Sequence, residues 1–404
     1  MPGPVQPSHR RDGRDLIGAC YNKPVSVLSN RHVGDFTTHR MKDGRTSMTN
    51  QQLERMVVGG VDTHKLTHHA AALDAATGQL LDDQEFPATS AGYAQMLTWL
   101  LTHGMVLKVG IEGTGSFGAG LHRHLHNSNI TVTEVLRPNR QDRRARGKSD
   151  PIDAINAARA ALSGTASTIP KDREGFVEAV RLIRATRRSA VRARRVAIQQ
   201  IHGILWSAPE ELRERLTGYD RAALVTRCAK LRPPTHLPLH DPAVTARRML
   251  RRLARRVQQL DEEIADANTE LEIILRQHTP TLMNIFGVGA EAAGQILTTA
   301  GENLDRLHSE AALARICGVA PIPASSGNTT RHRLHRGGDR AANSAIHLIV
   351  INRLRWHAPT RAYVAKRTAE GKTKKEIIRC LKRAVVRELY RALRTDLKNA
   401  LDDA

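Results

Sequence analysis

Apolar positions in the first third of the chain come in short runs separated by turns. Val57, Val58 and Val61, with two glycines between them, form a run fit for a buried strand ending at Asp62. Residues 69–73, the turn 74–78 and residues 79–86 read as a hairpin. Ser90 is placed to cap a helix over 91–102 whose apolar face includes Met96, Leu97 and Leu100. A second buried strand, 106–111, leads into Glu112. A helix near 118–127, a strand at 130–136 and a helix from about Pro151 follow. Strands first, then alternation with helices, predicts an α/β layout.

The pattern then turns helical. Leu250, Leu253, Val257, Leu260, Ile264, Ala267, Leu271 and Ile274 alternate spacings of three and four, the seam of a coiled coil. An earlier helix carries a poorer seam, Val180, Ile183, Ala190, Ala197, Ile201 and Ile204, with Arg187 and Arg194 in the gaps. An antiparallel hairpin of two long helices is the economical reading; dimerisation through the second helix competes with it. A Pro-rich break covers 231–238, and a third unit starts near Pro280. There Ile285-Phe286-Gly287-Val288-Gly289 resembles a helix–hairpin–helix turn, in which Gly287 and Gly289 let backbone N–H groups approach a phosphate. A plain helix–turn–helix core contact competes. Helices over 339–356 and 374–397 complete the chain. The predicted organisation is a disordered extension (1–54), a mixed α/β domain (55–168), a helical hairpin (169–278) and an all-α domain (279–404).

Charge changes the picture from fold to partner. The 404 residues hold 62 Lys and Arg against 40 Asp and Glu, a net charge of +22. Such a surplus favours polyanions. Aromatic residues are only 3%, which argues against binding by rows of stacking rings. Trp99, Trp206 and Trp356 read most simply as packing residues. Cys20, Cys228, Cys317 and Cys380 form no CxxC, so no zinc module is indicated. No apolar run reaches the ~18–20 residues of a membrane span. A soluble, cytoplasmic, nucleoid-associated protein is expected. In the hairpin, Arg181, Arg184 and Arg188 are expected opposite Asp261, Glu262, Glu263 and Asp266. Nearer the tip, Arg192, Arg194 and Arg195 would face Arg251, Arg252, Arg255 and Arg256, a patch for RNA or DNA.

Two constellations can do chemistry. Asp62 and Glu112 end strands, and Asp150 and Asp153 stand three apart at a helix start, with Pro151 between. Carboxylates gathered at strand ends repel unless a cation is present, and hard oxygen ligands suit Mg²⁺ or Mn²⁺. Each acid alone reads as an ordinary cap or turn residue; the ordered set does not. The second constellation is Ser325-Ser326-Gly327, followed by Arg331, Arg333 and Arg336. A serine needs activation and charge neutralisation to attack a phosphodiester. Arg137, Arg140, Arg143, Arg144, Arg146 and Lys148 run straight into the acid pair as candidate phosphate contacts. His64, His68 and His69 read as surface or strand histidines, and no GxxxxGK[ST] run is present.

The succession Asp62-Thr63-His64-Lys65, Ile111-Glu112-Gly113-Thr114-Gly115, Lys148-Ser149-Asp150-Pro151-Ile152-Asp153-Ala154, coiled coil, Gly287-Val288-Gly289 and Ser325-Ser326-Gly327 resembles the DEDD transposases of bacterial insertion sequences, the IS110 family of bridge-RNA-guided recombinases. The resemblance covers roughly residues 56–395. It implies an RNase H/RuvC-like domain with the tetrad Asp62, Glu112, Asp150 and Asp153 on Mg²⁺ or Mn²⁺, and a helical transposase domain with a nucleophilic serine. That serine matches Ser326, with Ser325 the alternative because the doubled serine leaves the register open. It further implies donor and target DNA and an element-encoded guide RNA as partners, in a homo-oligomer (dimer or tetramer). A RuvC-like metal-dependent junction nuclease and a non-catalytic nucleic-acid-binding coiled coil are the rival readings.

Overall fold

The computed structural model describes residues 55–135, 149–234, 240–325, 327, 332–335 and 337–402. The extension 1–54 and the basic run 137–148 lie outside the described residues. Five strands make the main sheet: β1 (Met56–Thr63), β2 (Thr67–Asp74), β3 (Leu80–Pro87), β4 (Met105–Glu112) and β5 (Val132–Val135). Their order is β3-β2-β1-β4-β5. Pairing is antiparallel from β3 to β1 and parallel from β1 through β4 to β5, the RNase H-like arrangement expected.

Successive side chains of a strand point to opposite faces. Val57, Gly59 and Val61 of β1 face α1 (Ser90–His103) and α2 (Ala119–Asn127), with Met96, Leu100, Leu121 and Leu125 in the shared core. Gly60 and Asp62 face α3 (Asp150–Leu162). The cap of α1 is Thr89 rather than Ser90: Thr89 has extended backbone, and its Oγ1 accepts from Gly92 N at 3.1 Å.

The hairpin pairs α4 (Gly175–Ser207) with α7 (Pro242–His278), and two short helices, α5 (Glu210–Leu216) and α6 (Arg221–Ala229), close its far end. Ile201, Leu205, Leu212, Leu224, Leu250 and Val257 share one core there. The two helices run antiparallel as expected, but in a different register. Arg187 Nε donates to Asn268 Oδ1 at 2.6 Å and Arg194 pairs with Asp261. Arg192 and Arg195 therefore stand beside the acidic stretch of α7, and Arg251 and Arg252 lie nearer the tip, opposite uncharged residues. The expected face-to-face arginine patch is thus corrected. The register is the one that packs Ile201 and Leu205 of α4 with Leu250 and Ala254 of α7 and with Leu212 and Leu224 of the two short helices. Arg181 pairs within its own helix, with Glu178.

The remaining helices are α8 (Pro280–Met283), α9 (Ala290–Ala300), α10 (Glu310–Ile316), α11 (Arg340–Trp356), α12 (Ala358–Ala369) and α13 (Lys374–Asp402). A ribbon of β6 (Pro321–Pro323) and β7 (His332–Leu334) lies between α10 and α11. Their core includes Leu271, Leu275, Leu297, Ile346, Val386 and Leu393, so the base of the hairpin is built into it. Arg184 of α4 is buried there, its Nη2 donating to Glu291 Oε1 and Gln295 Oε1 at 2.7 Å each. Buried Asp396 of α13 accepts from the backbone N–H groups of Thr281 (3.1 Å) and Leu282 (2.8 Å), capping α8. Trp99 packs on Phe86 as expected, but Trp206 and Trp356 are 70% and 71% exposed, against the packing role expected of them. No described helix is long and apolar enough to cross a membrane.

Candidate active site

The site begins with two glycines. Gly60 of β1 and Gly110 of β4 are register partners, and both face α3. A Cβ on Gly60 would lie 2.1 Å from Ala158 N and 2.3 Å from Ala154 O; one on Gly110 would lie 2.5 Å from Ala157 O. Helix and sheet meet backbone to backbone, with Ala154, Ala157, Ala158 and Ala161 buried in the contact. Two residues beyond each glycine, the same strand faces carry Asp62 and Glu112. Thr63 Oγ1 donates to Glu112 O at 2.7 Å and ties the two strand ends together.

The N-terminus of α3 arrives at the same place. Ser149, in extended backbone, is the capping residue; Pro151 follows in the first turn with Asp150 and Asp153. Acids in a first turn are favoured by the helix dipole. Asp153 is buried and Asp150 lies at the exposed rim. The two reach Asp62 differently. Burial, together with the nearby carboxylates of Asp153 and Asp150, holds the Asp62 carboxyl above its ordinary pKa, while His64 pulls the other way. Each proton removed here leaves a charge that needs compensation.

His64 supplies part of it. Its Nε2 lies 3.2 Å from Asp62 Oδ2 and 3.3 Å from Asp150 Oδ1, and these are the ion pairs of both acids among the described residues. Ligand atoms of Asp62, His64 and Asp150 all lie within 4.8 Å of one another. Two carboxylates around one imidazole, with a third carboxylate close by, fit a divalent cation that prefers oxygen. His68 and His69 do not join them: His68 is stacked on Tyr93, and His69 Nε2 lies 2.7 Å from Asp83 Oδ2. From sequence His64 reads, like His68 and His69, as a surface or strand histidine. Its placement beside Asp150 depends on the approach of α3.

The other candidates are dispersed. Ser325 lies exposed just beyond β6, and Arg333 is exposed on β7. Ser326, Arg331 and Arg336 lie outside the described residues, as do Arg137, Arg140, Arg143, Arg144, Arg146 and Lys148. Gly287 packs on α11, 3.5 Å from Ile349 O to its would-be Cβ, and Arg353 Nε holds Phe286 O at 2.9 Å. Gly289, the capping residue of α9, faces open space. Arg192 and Arg252 are exposed and have no ion pair among the described residues; the same lack of a partner holds for Arg195 and Arg251.

Sheet and helical core are joined directly behind Glu112. Thr114 Oγ1 donates to Glu134 Oε1 at 2.8 Å, and Arg306 Nη1 lies 3.5 Å from Glu134 Oε2. Asn303 Nδ2 donates to Asp172 Oδ1 at 2.7 Å. The turn that follows a candidate ligand is therefore coupled to the domain that carries the serine loop.

A family model described as a transposase, the DEDD type of IS110, matches residues 59–208. A second, described as transposase of the IS116/IS110/IS902 family, matches residues 279–365. The chain is similar to the insertion element IS900 uncharacterized 42 kDa protein of Mycobacterium paratuberculosis, 28% identical over 146 residues. That match spans 35% of this chain and 37% of the relative, little more than a third of either. The first family match holds Asp62, Glu112, Asp150 and Asp153, the second holds the serine loop, and the chain belongs to the IS110 family of transposases.

Proposed function

We propose that the protein is a DNA transposase that cuts and rejoins strands at a site assembled from the acid cluster and the serine loop. The observation that carries this reading is the convergence of Asp62, His64 and Asp150 at the end of β1, with Asp153 buried beside them. Asp62, Glu112, Asp150 and Asp153 would hold Mg²⁺ or Mn²⁺, which when bound polarises a phosphate oxygen and offsets charge developing on it. His64 Nε2 stands between Asp62 and Asp150 and ties the two carboxylates together.

Ser326, or Ser325 beside it, attacks the scissile phosphorus. An Oγ–P bond forms as the P–O bond to one strand breaks, and that strand leaves as a hydroxyl. Attack by a hydroxyl of the second strand reverses the step and frees the serine. The ester conserves the phosphodiester bond, so no nucleotide triphosphate is consumed. Acids and serine lie on different parts of the chain, which supports assembly of the site within a homo-oligomer, a dimer or tetramer. An element-encoded RNA pairs with donor and target DNA and reads their sequence, while the protein grips backbone and shape. Arg192, Arg195, Arg251 and Arg252 supply non-specific contacts on the hairpin, while Arg194 is taken up by Asp261. The remaining contacts come from the runs 137–148 and 331–336 and from the turn at Gly287 and Gly289.

The test is strand cleavage by wild type and Asp62→Asn on matched DNA with guide RNA and Mg²⁺. The variant should lose cleavage while retaining RNA binding. Cleavage undiminished in Asp62→Asn would eliminate the metal-dependent reading. Cleavage that survives the double change Ser325→Ala, Ser326→Ala would leave a hydrolytic junction nuclease instead.

A further inference from the structure

A cavity of about 410 Å³ opens at the root of the β6–β7 ribbon, between the start of α11 and Lys382 of α13. That volume falls in the range of small-ligand sites. Its floor is two interlocked turns. A Cβ on Gly338 would lie 2.6 Å from Gly318 N, and one on Gly318 would lie 2.7 Å from Gly337 O. Both glycines have positive φ, +87° and +65°, so only bare backbone closes this floor. Asn343 clamps it: its Nδ2 donates to Gly318 O at 2.8 Å and to Cys317 O at 3.2 Å. Asn343 Oδ1 accepts from Lys382 Nζ at 2.6 Å and so aims the ammonium group.

The charge balance of the lining is one-sided. Lys382 is partly buried, Arg340 is exposed, and neither has an ion pair among the described residues. The acid in the lining is Asp339, and it is fully engaged elsewhere. Its Oδ1 accepts from Ala341 N (2.7 Å) and Ala342 N (3.3 Å), and its Oδ2 from Gln295 Nε2 (3.1 Å) and Thr299 Oγ1 (2.6 Å). His335 and His347 also line the cavity, and the Nδ1 atoms of both are buried with no hydrogen-bond partner among the described residues. A concave site with two cations, two unsatisfied imidazole nitrogens and no available carboxylate suits a phosphate oxyanion. The ribbon relates it to the serine loop. Ser325 is four residues past Pro321, so at most about 14 Å of extended chain separates the loop from the ribbon's root.

We propose that this cavity binds a phosphodiester of the DNA strand engaged by the serine loop, a nucleotide or two from the phosphate under attack. The assignment rests on the transposase reading for the identity of the strand. Gripping a neighbouring phosphate would hold the scissile one in place and limit its drift. In sequence the basic run Lys372, Lys374, Lys375, Arg379, Lys382 and Arg383 reads equally as a binding face or a solvated helix face; the hydrogen bond to Asn343 is what places Lys382 at this cavity.

The test is binding of a fluorescent single-stranded DNA oligonucleotide by the full chain over a range of salt concentrations. Lys382→Met and Arg340→Gln should each flatten the slope of log K against log salt by about 0.7–1, the loss of one phosphate contact. Ser344→Glu, at an exposed position of the lining, should weaken binding at least about tenfold. Lys382→Arg should keep the wild-type slope, and Arg276→Gln, whose arginine is paired with Glu272 in the last turns of α7 and does not line the cavity, should not change it. A wild-type slope in Lys382→Met with unchanged affinity in Ser344→Glu would overturn the proposal. So would inorganic phosphate that perturbs the His335 and His347 ring signals without displacing the oligonucleotide, which would mark a free-phosphate site. The assay reads binding alone. A Lys382-dependent slope without strand cleavage would keep the cavity and lose the transposase reading; cleavage with an unaltered slope would do the reverse.

Discussion

Replacing Gly60 with alanine tests how the acids are brought together. The added Cβ would lie 2.1 Å from Ala158 N and 2.3 Å from Ala154 O, both backbone atoms, where an ordinary contact begins at 3.4 Å. Helix α3 must therefore retreat by about 1 Å or more, because neither neighbour is a side chain that can rotate away. Gly59→Ala is the internal control. Its Cβ would meet side-chain atoms of Val109 and Leu100 at 3.1–3.3 Å, and these can yield by a few tenths of an ångström. Overpacking of this kind costs about 1–3 kcal/mol, and the backbone clash at Gly60 belongs at or beyond the upper end. In urea unfolding, Gly60→Ala should lose at least about 2 kcal/mol, and Gly59→Ala under about 1.5 kcal/mol. At a urea concentration where both remain folded, Mg²⁺-dependent cleavage by Gly60→Ala should fall about 100-fold, since Asp150 and Asp153 ride on the displaced helix. Equal stability losses in the two variants, or full activity in Gly60→Ala, would refute the packing argument.

Three further outcomes follow from other parts of the structure. Burial lowers the Lys171 pKa to about 8, although its Nζ donates to Thr298 O at 2.6 Å. The unfolded chain then binds the extra proton between about pH 8 and 10.4, so wild type should gain on the order of 3 kcal/mol over that window relative to Lys171→Met, as urea titrations at each pH would show. Arg184→Met leaves buried Gln295 Oε1 without its donor, while Glu291 keeps Arg187 at 3.3 Å, and should cost about 1–3 kcal/mol, measured by the same unfolding assay. Mg²⁺ should raise the melting temperature of wild type, and Asp153→Asn should lose most of that rise, because binding to the folded state alone is what stabilises it.

Much of this architecture is legible in the residues. Val57–Val61 reads as a strand because both its faces are covered, which leaves a continuous apolar run ending on Asp62, and Val106–Ile111 reads as one through its buried end, Val109–Ile111, which leads into Glu112. The seam of α7 reads correctly at Leu250, Val257, Leu260, Ala267 and Leu271. It drifts at Leu253 and Ile274, where Ala254 and Leu275 take the buried positions, as a 3.6-residue period slips against a 3.5-residue one. Interstrand and interhelix register is not encoded locally. The pairing of Gly60 with Gly110, the position of His64 against Asp150 and the partner of Arg194 each follow from how distant segments settle together. The exposure of Trp206 and Trp356 is the same kind of fact, since bulk alone does not say which neighbour covers a ring. Lys382 enters the cavity through a hydrogen bond to Asn343, 39 residues away, which no spacing rule anticipates.

The most direct measurement is a search for a covalent protein–DNA species. Protein, guide RNA and matched DNA are incubated with Mg²⁺, quenched in denaturant, and the adduct is mapped by mass spectrometry. The account predicts a denaturant-stable phosphoserine at Ser326 or Ser325 that is absent from Asp62→Asn and absent without the metal. Free cleaved ends with no adduct, or an adduct formed undiminished by Asp62→Asn, would contradict it.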